Sequence, residues 1–407
     1  MERPVTNTCV PRLPRITAMA GMILFLAAPL TAQTPTRTLG KPDAEYAEPF
    51  TAISGLRELR DGRVIVSDSR EKTLRVIDMA RGTAEPVGRA GGGPGEWGSP
   101  TRLFALPGDS TLMPDFMNHR FFIANPDGRA GAPLRTPDAS PLSFADLAGI
   151  DSAGRMLLVA SRRPRGPTDA TVGIADLLRF DRRGGRVDTV GTLAQPVGER
   201  TAASMAGPGR IRVTTNLPFA AQDLAAMTWD GRIAIVRASP YRMEWIAPDG
   251  KHVLGPVASG PIVRIEENEK EAFVRSQIRP GGILIRGPAA SAASSAPGAS
   301  SAAAASVPKL SSAEVKAMMD PNMTWPAVKP PFLGGALQVA PDGRAWVLRA
   351  RAIDDSIPVY DVFDAAGRVV ERVALPKRTR LAGFGKGVLY LARTDDDDLL
   401  WLQRVRR

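Results

Sequence analysis

Residues 61–78, DGRVIVSDSREKTLRVID, contain a tight turn and two strand-like runs, and they decide the fold. Asp61-Gly62-Arg63 has the composition of a turn. In Val64–Asp68 and Leu74–Asp78, branched apolar residues alternate as they do in β-strands with one buried face. The same unit recurs along the chain with a period of about 44–50 residues, which indicates a repeat fold.

Two kinds of turn mark each repeat. The first turn has six copies, at Asp61–Arg63, Gly108–Ser110, Ala153–Arg155, Asp230–Arg232, Asp342–Arg344 and Gly385–Gly387. The second turn recurs at Pro126–Gly128, Arg183–Gly185, Pro248–Gly250 and Ala365–Gly367. Two hairpin turns in one repeat predict a four-stranded antiparallel sheet. We therefore predict an all-β, six-bladed β-propeller.

A second repeat predicts how the ring closes. GKPDAEYAEP begins at Gly40 and GGGPGEWGSP at Gly91, an offset of 51 residues (91 − 40). The later copy follows the outer strand of a blade, so we expect the chain to begin with an outer strand near Thr36–Leu39. The last blade has only three strand-like segments of its own. The N-terminal strand should complete it and remove the exposed edges.

Two regions interrupt the repeat, Val187–Pro218 and residues 264–331. The first has an irregular composition. The second should form a partly helical insertion between blades 4 and 5, with a helix at Glu267–Ile278. Ser311 and Glu314 have the spacing of a capping box that opens a second helix. Residues 289–306 are almost entirely alanine and serine, which predicts a disordered linker.

The N-terminus, residues 1–32, has the pattern of a secretory signal peptide. Arg12 and Arg15 precede the apolar run Ile16–Leu30, which is too short for a comfortable membrane span of roughly 20 residues. An uncleaved anchor is the alternative. Cleavage would leave residues 33–407 as a single propeller domain, exported to the periplasm or the extracellular space. The only cysteine, Cys9, would leave with the signal, so we expect no disulfide and no cysteine-ligated zinc.

The net charge is +11, from 53 basic and 42 acidic residues, and removal of residues 1–32 leaves 50 and 41, or +9. The arginines are scattered, often in Asp-Gly-Arg turns, without a basic block containing aromatic residues. This distribution favours a solvated surface over a nucleic-acid interface. We expect no nucleic-acid partner and no stable membrane span, although docking on an anionic membrane surface remains a weaker hypothesis.

The stretch Gly88–Gly128 resembles the NHL-type repeat of bacterial exported six-bladed propellers. The matching features are the glycines of Gly91–Gly95, Trp97, Pro100, Asp115 and Asn118-His119-Arg120, and Asp68 occupies the place of Asp115 in the preceding repeat. The resemblance is specific over the first two blades only. It implies the fold and leaves the activity open, because propellers include binding proteins, lyases, lactonases and sensors.

Glu45, Tyr46, Glu96 and Trp97 form the most distinctive repeated set. We consider them candidate binding residues in loops at the mouth of the central channel. The competing interpretation, which their repetition favours, is packing between blades, with each glutamate bonding loop amides. Polar residues that occur in one blade only would be better site candidates.

Other motifs have structural explanations. Gly93-x-Gly95-x-x-Gly98 is followed by a proline and a strand, which favours an inter-blade turn over a dinucleotide site. Asp395–Asp398 lacks the glycine and glutamate of an EF-hand and predicts a hairpin turn. His119 and His252, the only histidines, lie at turns. We identify no catalytic residues and no metal ligands, and predict no cofactor.

Two functions remain open. The first is a non-enzymatic binding or scaffold protein of the cell envelope, which we expect to be a monomer. Its partner would be an envelope protein, a peptide or a small molecule. The alternative is a channel-centred hydrolase or lactonase that uses a carboxylate-bound metal, and calcium is expected only in that case.

Overall fold

The computed structural model describes residues 1, 34–135, 145–162, 172–196, 218–277, 311–317, 319 and 323–407. Apart from Met1, the predicted signal with Cys9 lies outside the described residues, and so does the alanine- and serine-rich linker. Thr34–Arg407 form one compact unit.

The chain forms an all-β, six-bladed propeller. We number its six sheets in chain order, and within each sheet the strands pair antiparallel in sequence order. The strands of the first three sheets are, in sheet 1, Gly55–Glu58, Val64–Asp68, Thr73–Asp78 and Thr83–Pro86; in sheet 2, Phe104–Ala105, Thr111–Asp115, Arg120–Ala124 and Leu134–Arg135; in sheet 3, Asp146–Ile150, Met156–Ser161, Val172–Asp181 and Arg186–Pro196.

The other three sheets repeat this arrangement. Their strands are, in sheet 4, Leu224–Met227, Ile233–Ala238, Tyr241–Ile246 and His252–Leu254; in sheet 5, Leu337–Val339, Ala345–Leu348, Val359–Phe363 and Val369–Ala374; in sheet 6, Thr379–Gly385, Val388–Thr394 and Leu400–Arg406. Arg89–Ala90 and Glu96–Trp97 form a short parallel pair between sheets 1 and 2. Pro107–Asp109 and Phe116–Asn118 are 3₁₀ turns.

All six predicted first turns join the first and second strands of their sheets. Each contains a glycine with positive φ, between 72° at Gly387 and 89° at Gly62. This backbone conformation strains residues that carry a Cβ, so the recurring glycine is a requirement of the turn. The repeat recognised in the sequence therefore corresponds to the repeat of the fold.

Hydrophobic clusters fill the spaces between neighbouring sheets. Among the described residues there are six clusters, and each combines side chains from two adjacent sheets. Tyr390 and Val66, for example, meet between sheets 6 and 1, and Phe122 and Ile65 meet between sheets 1 and 2. Both faces of every sheet are thus covered, which explains why a ring is stable where a single sheet would not be.

The N-terminal segment pairs with two sheets. Ala44–Glu45 runs antiparallel to Leu400–Arg406 and is the fourth strand of sheet 6. Thr36–Thr38, part of the segment predicted to complete the last blade, instead pairs in parallel with Val369–Ala374 of sheet 5. Packing of the core explains why Ala44–Glu45, and not Thr36–Thr38, completes sheet 6. Tyr46 and Phe50 insert their rings into the core between sheets 6 and 1, whereas all three residues of Thr36–Thr38 are exposed.

The connection from sheet 4 to sheet 5 carries two helices, α1 (Glu267–Gln277) and α2 (Ser312–Ala317). The capping box of α2 is present, since the Ser311 amide donates to the Glu314 carboxylate (2.7 Å) and the Glu314 amide donates to Ser311 Oγ (3.3 Å). No helix among the described residues is long and apolar enough to cross a membrane.

A buried ion pair fastens α1 to the propeller. Lys329 Nζ lies 2.6 Å from Glu269 Oε2, and both side chains are less than a tenth exposed. Glu269 also accepts a hydrogen bond from the Ile353 amide (2.8 Å), and Lys329 donates to the Arg351 carbonyl (2.9 Å). The first half of the helical insertion is therefore an anchored part of the fold.

The interruption predicted at Val187–Pro218 begins later than expected. Arg186–Pro196 is a strand that pairs with Val172–Asp181 along its whole length. Leu193 contributes to the core between sheets 3 and 4. The strand therefore belongs to sheet 3 as far as Pro196.

Candidate binding site in the axial cavity

The first strands of sheets 1, 2, 5 and 6 line a cavity on the inner side of the ring, with a volume of about 1170 Å³, and Trp229 of sheet 4 also lines it. We call it the axial cavity. Nine charged residues line it, six basic and three acidic: Arg57, Arg60, Arg102, Arg380, Lys386, Arg404, Glu58, Asp61 and Asp109. A cavity of this size is large enough for a small organic ligand.

All three acidic residues of the lining already have partners. Asp109 forms an ion pair with Arg57 and accepts a hydrogen bond from the Arg60 amide (3.0 Å). Asp61 is paired with Arg63 of the same turn. Glu58 accepts hydrogen bonds from the Tyr390 hydroxyl (2.6 Å) and the Lys386 amide (2.8 Å).

Three arginines reach from the inner edge of one sheet to the backbone of the next. Arg380 of sheet 6 donates to the Ile53 carbonyl before sheet 1 (2.6 Å). Arg57 of sheet 1 donates to the Asp109 carbonyl (2.8 Å), and Arg102 before sheet 2 donates to the Leu147 carbonyl of sheet 3 (3.1 Å). A guanidinium has five N–H donors, so Arg102 and Arg380 keep donors for a ligand.

The protein around Arg380 and Arg57 disfavours the positive charge of these two residues. Burial among protein atoms lowers the pKa of the Arg380 guanidinium, although the residue as a whole is exposed to solvent. Burial also lowers the pKa of Arg57, where Asp109 opposes the effect and the nearby charge of Arg60 adds to it. Both groups remain protonated at neutral pH. An anion in the cavity would offset this unfavourable electrostatic environment.

The cavity has two chemically different ends. Arg102 and Arg380 lie where the inner strands begin, which we call the strand-start end. Arg60, Trp229 and Lys386 lie in the first turns of sheets 1, 4 and 6, which we call the turn end. The Trp229 side chain is unusual there, because 43% of this large apolar residue is exposed.

The structure places Glu45, Tyr46, Glu96 and Trp97 outside the lining of the axial cavity. Trp97 is buried between sheets 1 and 2, and its indole N–H donates to the Val87 carbonyl (3.0 Å). Tyr46 is buried in the same way between sheets 6 and 1. The repeated aromatic position thus packs one sheet against the next.

The two glutamates of the repeated set have different partners. Glu96 accepts a hydrogen bond from the Gly93 amide (2.7 Å) and pairs with Arg89. Glu45, in the closing strand, accepts from Gln403 Nε2 (2.6 Å). The structure does not bring the four predicted residues together into one site.

The histidines and the aspartate run lie outside the lining of the axial cavity. His252 begins the outer strand of sheet 4, and His119 has a positive φ of 51° beside the 3₁₀ turn of sheet 2. Asp395 accepts hydrogen bonds from the Asp397 and Leu399 amides (3.0 and 2.9 Å), as expected for a hairpin turn. In the part of the chain that the structure describes, no three His, Cys, Asp or Glu residues are placed to hold a metal ion.

The cavity arginines were missed in the sequence, although a signal for one of them exists. Strand pairing aligns Arg57 with Phe104, Gly149, Ala226, Gln338 and Phe384 in the other five sheets. Arg57 is therefore the one charged residue at this position of the repeat. An alignment of the inner strands on their first turns would have identified it.

Comparisons with known proteins add little to these observations. No family model matches the chain, and no curated protein matches it. Many solved structures are similar over most of the chain, and three of them serve as examples. The calcium-binding protein regucalcin from Agrobacterium tumefaciens is 10% identical, and the match covers 91% of this chain and 96% of that chain with a TM-score of 0.41. Virginiamycin B lyase from Staphylococcus aureus is 8% identical, with coverage of 90% of this chain and 99% of that chain and a TM-score of 0.40. A gluconolactonase from Xanthomonas campestris is 9% identical, with coverage of 91% of this chain and 99% of that chain and a TM-score of 0.39. Similarity at this level carries no functional argument, and the NHL-type resemblance stays a prediction.

Proposed function

We propose that the protein is an exported binding protein of the cell envelope, and that its ligand is a small organic anion held in the axial cavity. The observation that carries this proposal is an imbalance of charge. Arg60, Arg102, Arg380 and Lys386 line the cavity without a carboxylate partner among the described residues, while its three acids are engaged. Unpaired cations that converge on one concave surface attract anions, and a ligand would supply that counter-charge.

Binding agrees better with this lining than catalysis does. Arginine donates hydrogen bonds and stays protonated, so it orients an anion without exchanging protons with it. A metal-dependent hydrolase would need carboxylates free to coordinate, whereas Asp109, Asp61 and Glu58 are held by an arginine or a tyrosine. The metal-dependent alternative therefore has less support from this cavity.

Export is part of the proposal and rests on the predicted signal at residues 1–32. The same holds for the envelope location. Both would be checked by amino-terminal sequencing of the protein recovered from cell fractions, and an intact Met1 in the cytoplasmic fraction would contradict them.

Calorimetric titration of the purified chain with inorganic phosphate and with succinate tests the binding proposal. A charge-assisted hydrogen bond contributes about 1.5–3 kcal/mol, so Arg102→Gln or Arg380→Gln should weaken binding by roughly tenfold or more. Arg179→Gln is the matched control, because Arg179 also donates to a carbonyl of the neighbouring sheet but lies outside the axial cavity. Absence of binding, or equal binding by all three variants, would overturn the proposal.

A further inference from the structure

The turn end of the axial cavity carries an exposed tryptophan at a position of the repeat that no other sheet fills with an aromatic residue. The residue two positions before the glycine of the first turn is Arg60 in sheet 1, Ser152 in sheet 3, Trp229 in sheet 4 and Pro341 in sheet 5. The large side chains Trp97, Trp245 and Trp346 are fully buried, whereas Trp229 is 43% exposed on the cavity lining. An exposed tryptophan in a concave site is a common platform for a planar ligand.

Two cationic side chains, Arg60 and Lys386, lie on the opposite side of the cavity from Trp229. In a ring of six sheets, sheet 4 lies opposite sheet 1, and sheet 6 is the neighbour of sheet 1. Arg60 and Lys386 belong to the first turns of sheets 1 and 6 and line the same end. A ligand that bridges the turn end would therefore meet an aromatic face on one side and two positive charges on the other.

Backbone hydrogen bonds to neighbouring sheets hold these three residues in place. The Arg60 amide donates to Asp109, the Trp229 carbonyl accepts from the Ser152 amide (2.8 Å), and the Lys386 amide donates to Glu58. Their side chains form no ion pair or hydrogen bond within the described ranges. The turns are thus rigid while the side chains remain available, which lowers the entropic cost of binding.

We infer that the turn end binds a planar aromatic anion, with its ring against Trp229 and its acidic group against Arg60 and Lys386. This inference rests on the proposed function, since it specifies which anions the axial cavity prefers. Stacking would supply affinity for the ring, and the cations would orient the acidic group. An aliphatic acid of the same charge would keep only the second contribution.

The test compares 2-naphthoate with decahydro-2-naphthoate, which has the same carbon skeleton and charge but no aromatic ring. Titration of the purified chain should show about tenfold tighter binding of 2-naphthoate. Trp229→Leu should remove this preference and leave the affinity for decahydro-2-naphthoate unchanged. Trp401→Leu, at a partly buried tryptophan outside the cavity, should retain the preference.

The outcomes separate this inference from the function on which it rests. Equal affinities for the two acids, with phosphate or succinate still bound, would overturn the aromatic preference and leave the anion-binding function intact. Failure of all four anions to bind would overturn both. A preference for 2-naphthoate that survives Trp229→Leu would show that another surface binds the ring and would also overturn the inference.

Discussion

Asp361 connects sheets 4 and 5, and its replacement should destabilise the ring strongly. The residue is completely buried in the third strand of sheet 5. Its carboxylate accepts hydrogen bonds from the Tyr241 hydroxyl of sheet 4 (2.9 Å), from Arg349 (2.7 Å) and from Arg372 (3.0 Å). Asp361→Asn keeps the volume of the side chain but removes the charge that two arginines share.

Breaking a buried ion pair by removing one partner costs about 3–5 kcal/mol, because the other charge stays buried without compensation. In a protein of this size 1 kcal/mol corresponds to roughly 1.3 °C in melting temperature, so we expect a decrease of roughly 4–7 °C. Tyr241→Phe removes one hydrogen bond and no charge, and its effect should be smaller. Burial raises the pKa of Tyr241, so this hydroxyl remains a donor at any physiological pH.

Scanning calorimetry at neutral pH measures these differences. Asp176→Asn is the matched control, since it breaks an ion pair with the exposed Arg162 and should cost at most about 1 kcal/mol. A melting temperature of Asp361→Asn within about 1 °C of the control would refute the reasoning (roughly 1 kcal/mol by the same conversion). Asp361 would then not hold sheets 4 and 5 together.

Three further predictions concern the closure, the insertion and the effect of pH. Deletion of the exposed Thr36–Thr38 should change the free energy of unfolding in urea only slightly. Tyr46→Ala should lower it by about 3–5 kcal/mol, because the substitution leaves a cavity in the core between sheets 6 and 1. A larger loss of stability from the deletion than from Tyr46→Ala would contradict the closure seen here. Lys329→Met should leave the buried carboxylate of Glu269 without its counter-charge and should therefore speed amide hydrogen exchange in α1. Unchanged exchange rates would show that the ion pair does not anchor the helix. A hydrogen bond from Arg404 lowers the pKa of the Asp43 carboxyl below 3.8, so its stabilising effect exists above about pH 4 and is lost as the pH falls. The difference in melting temperature between the wild type and Asp43→Asn should therefore shrink as the pH falls below about 4, and a constant difference would contradict this linkage.

The repeat could be predicted because its turns have strict local requirements. Gly62 and its five equivalents need a positive φ, and this requirement is visible in the sequence without any tertiary information. The repetition of the aromatic position likewise favoured a packing role for Tyr46 and Trp97. A single binding site in the ring would not require the same residue type in two repeats. Both are buried between sheets.

The closing strand and the cavity lining depend on long-range pairing, which the local pattern does not contain. Thr36–Thr38 and Ala44–Glu45 are both short and compatible with strands. Ala44–Glu45 completes sheet 6 because the rings of Tyr46 and Phe50, which follow it, are buried between sheets 6 and 1. Arg102 and Arg380 are ordinary arginines in the sequence. Only the ring brings the two guanidinium groups to one cavity.

A crystal soaked in selenate would test the anion-binding cavity most directly. Selenate is a tetrahedral dianion whose anomalous scattering marks its position. We expect an anomalous peak inside the axial cavity within hydrogen-bonding distance of Arg102 or Arg380, and its loss in the Arg102→Gln/Arg380→Gln double variant. Peaks confined to the outer surface of the ring, or a cavity peak unchanged in the double variant, would contradict the proposed function.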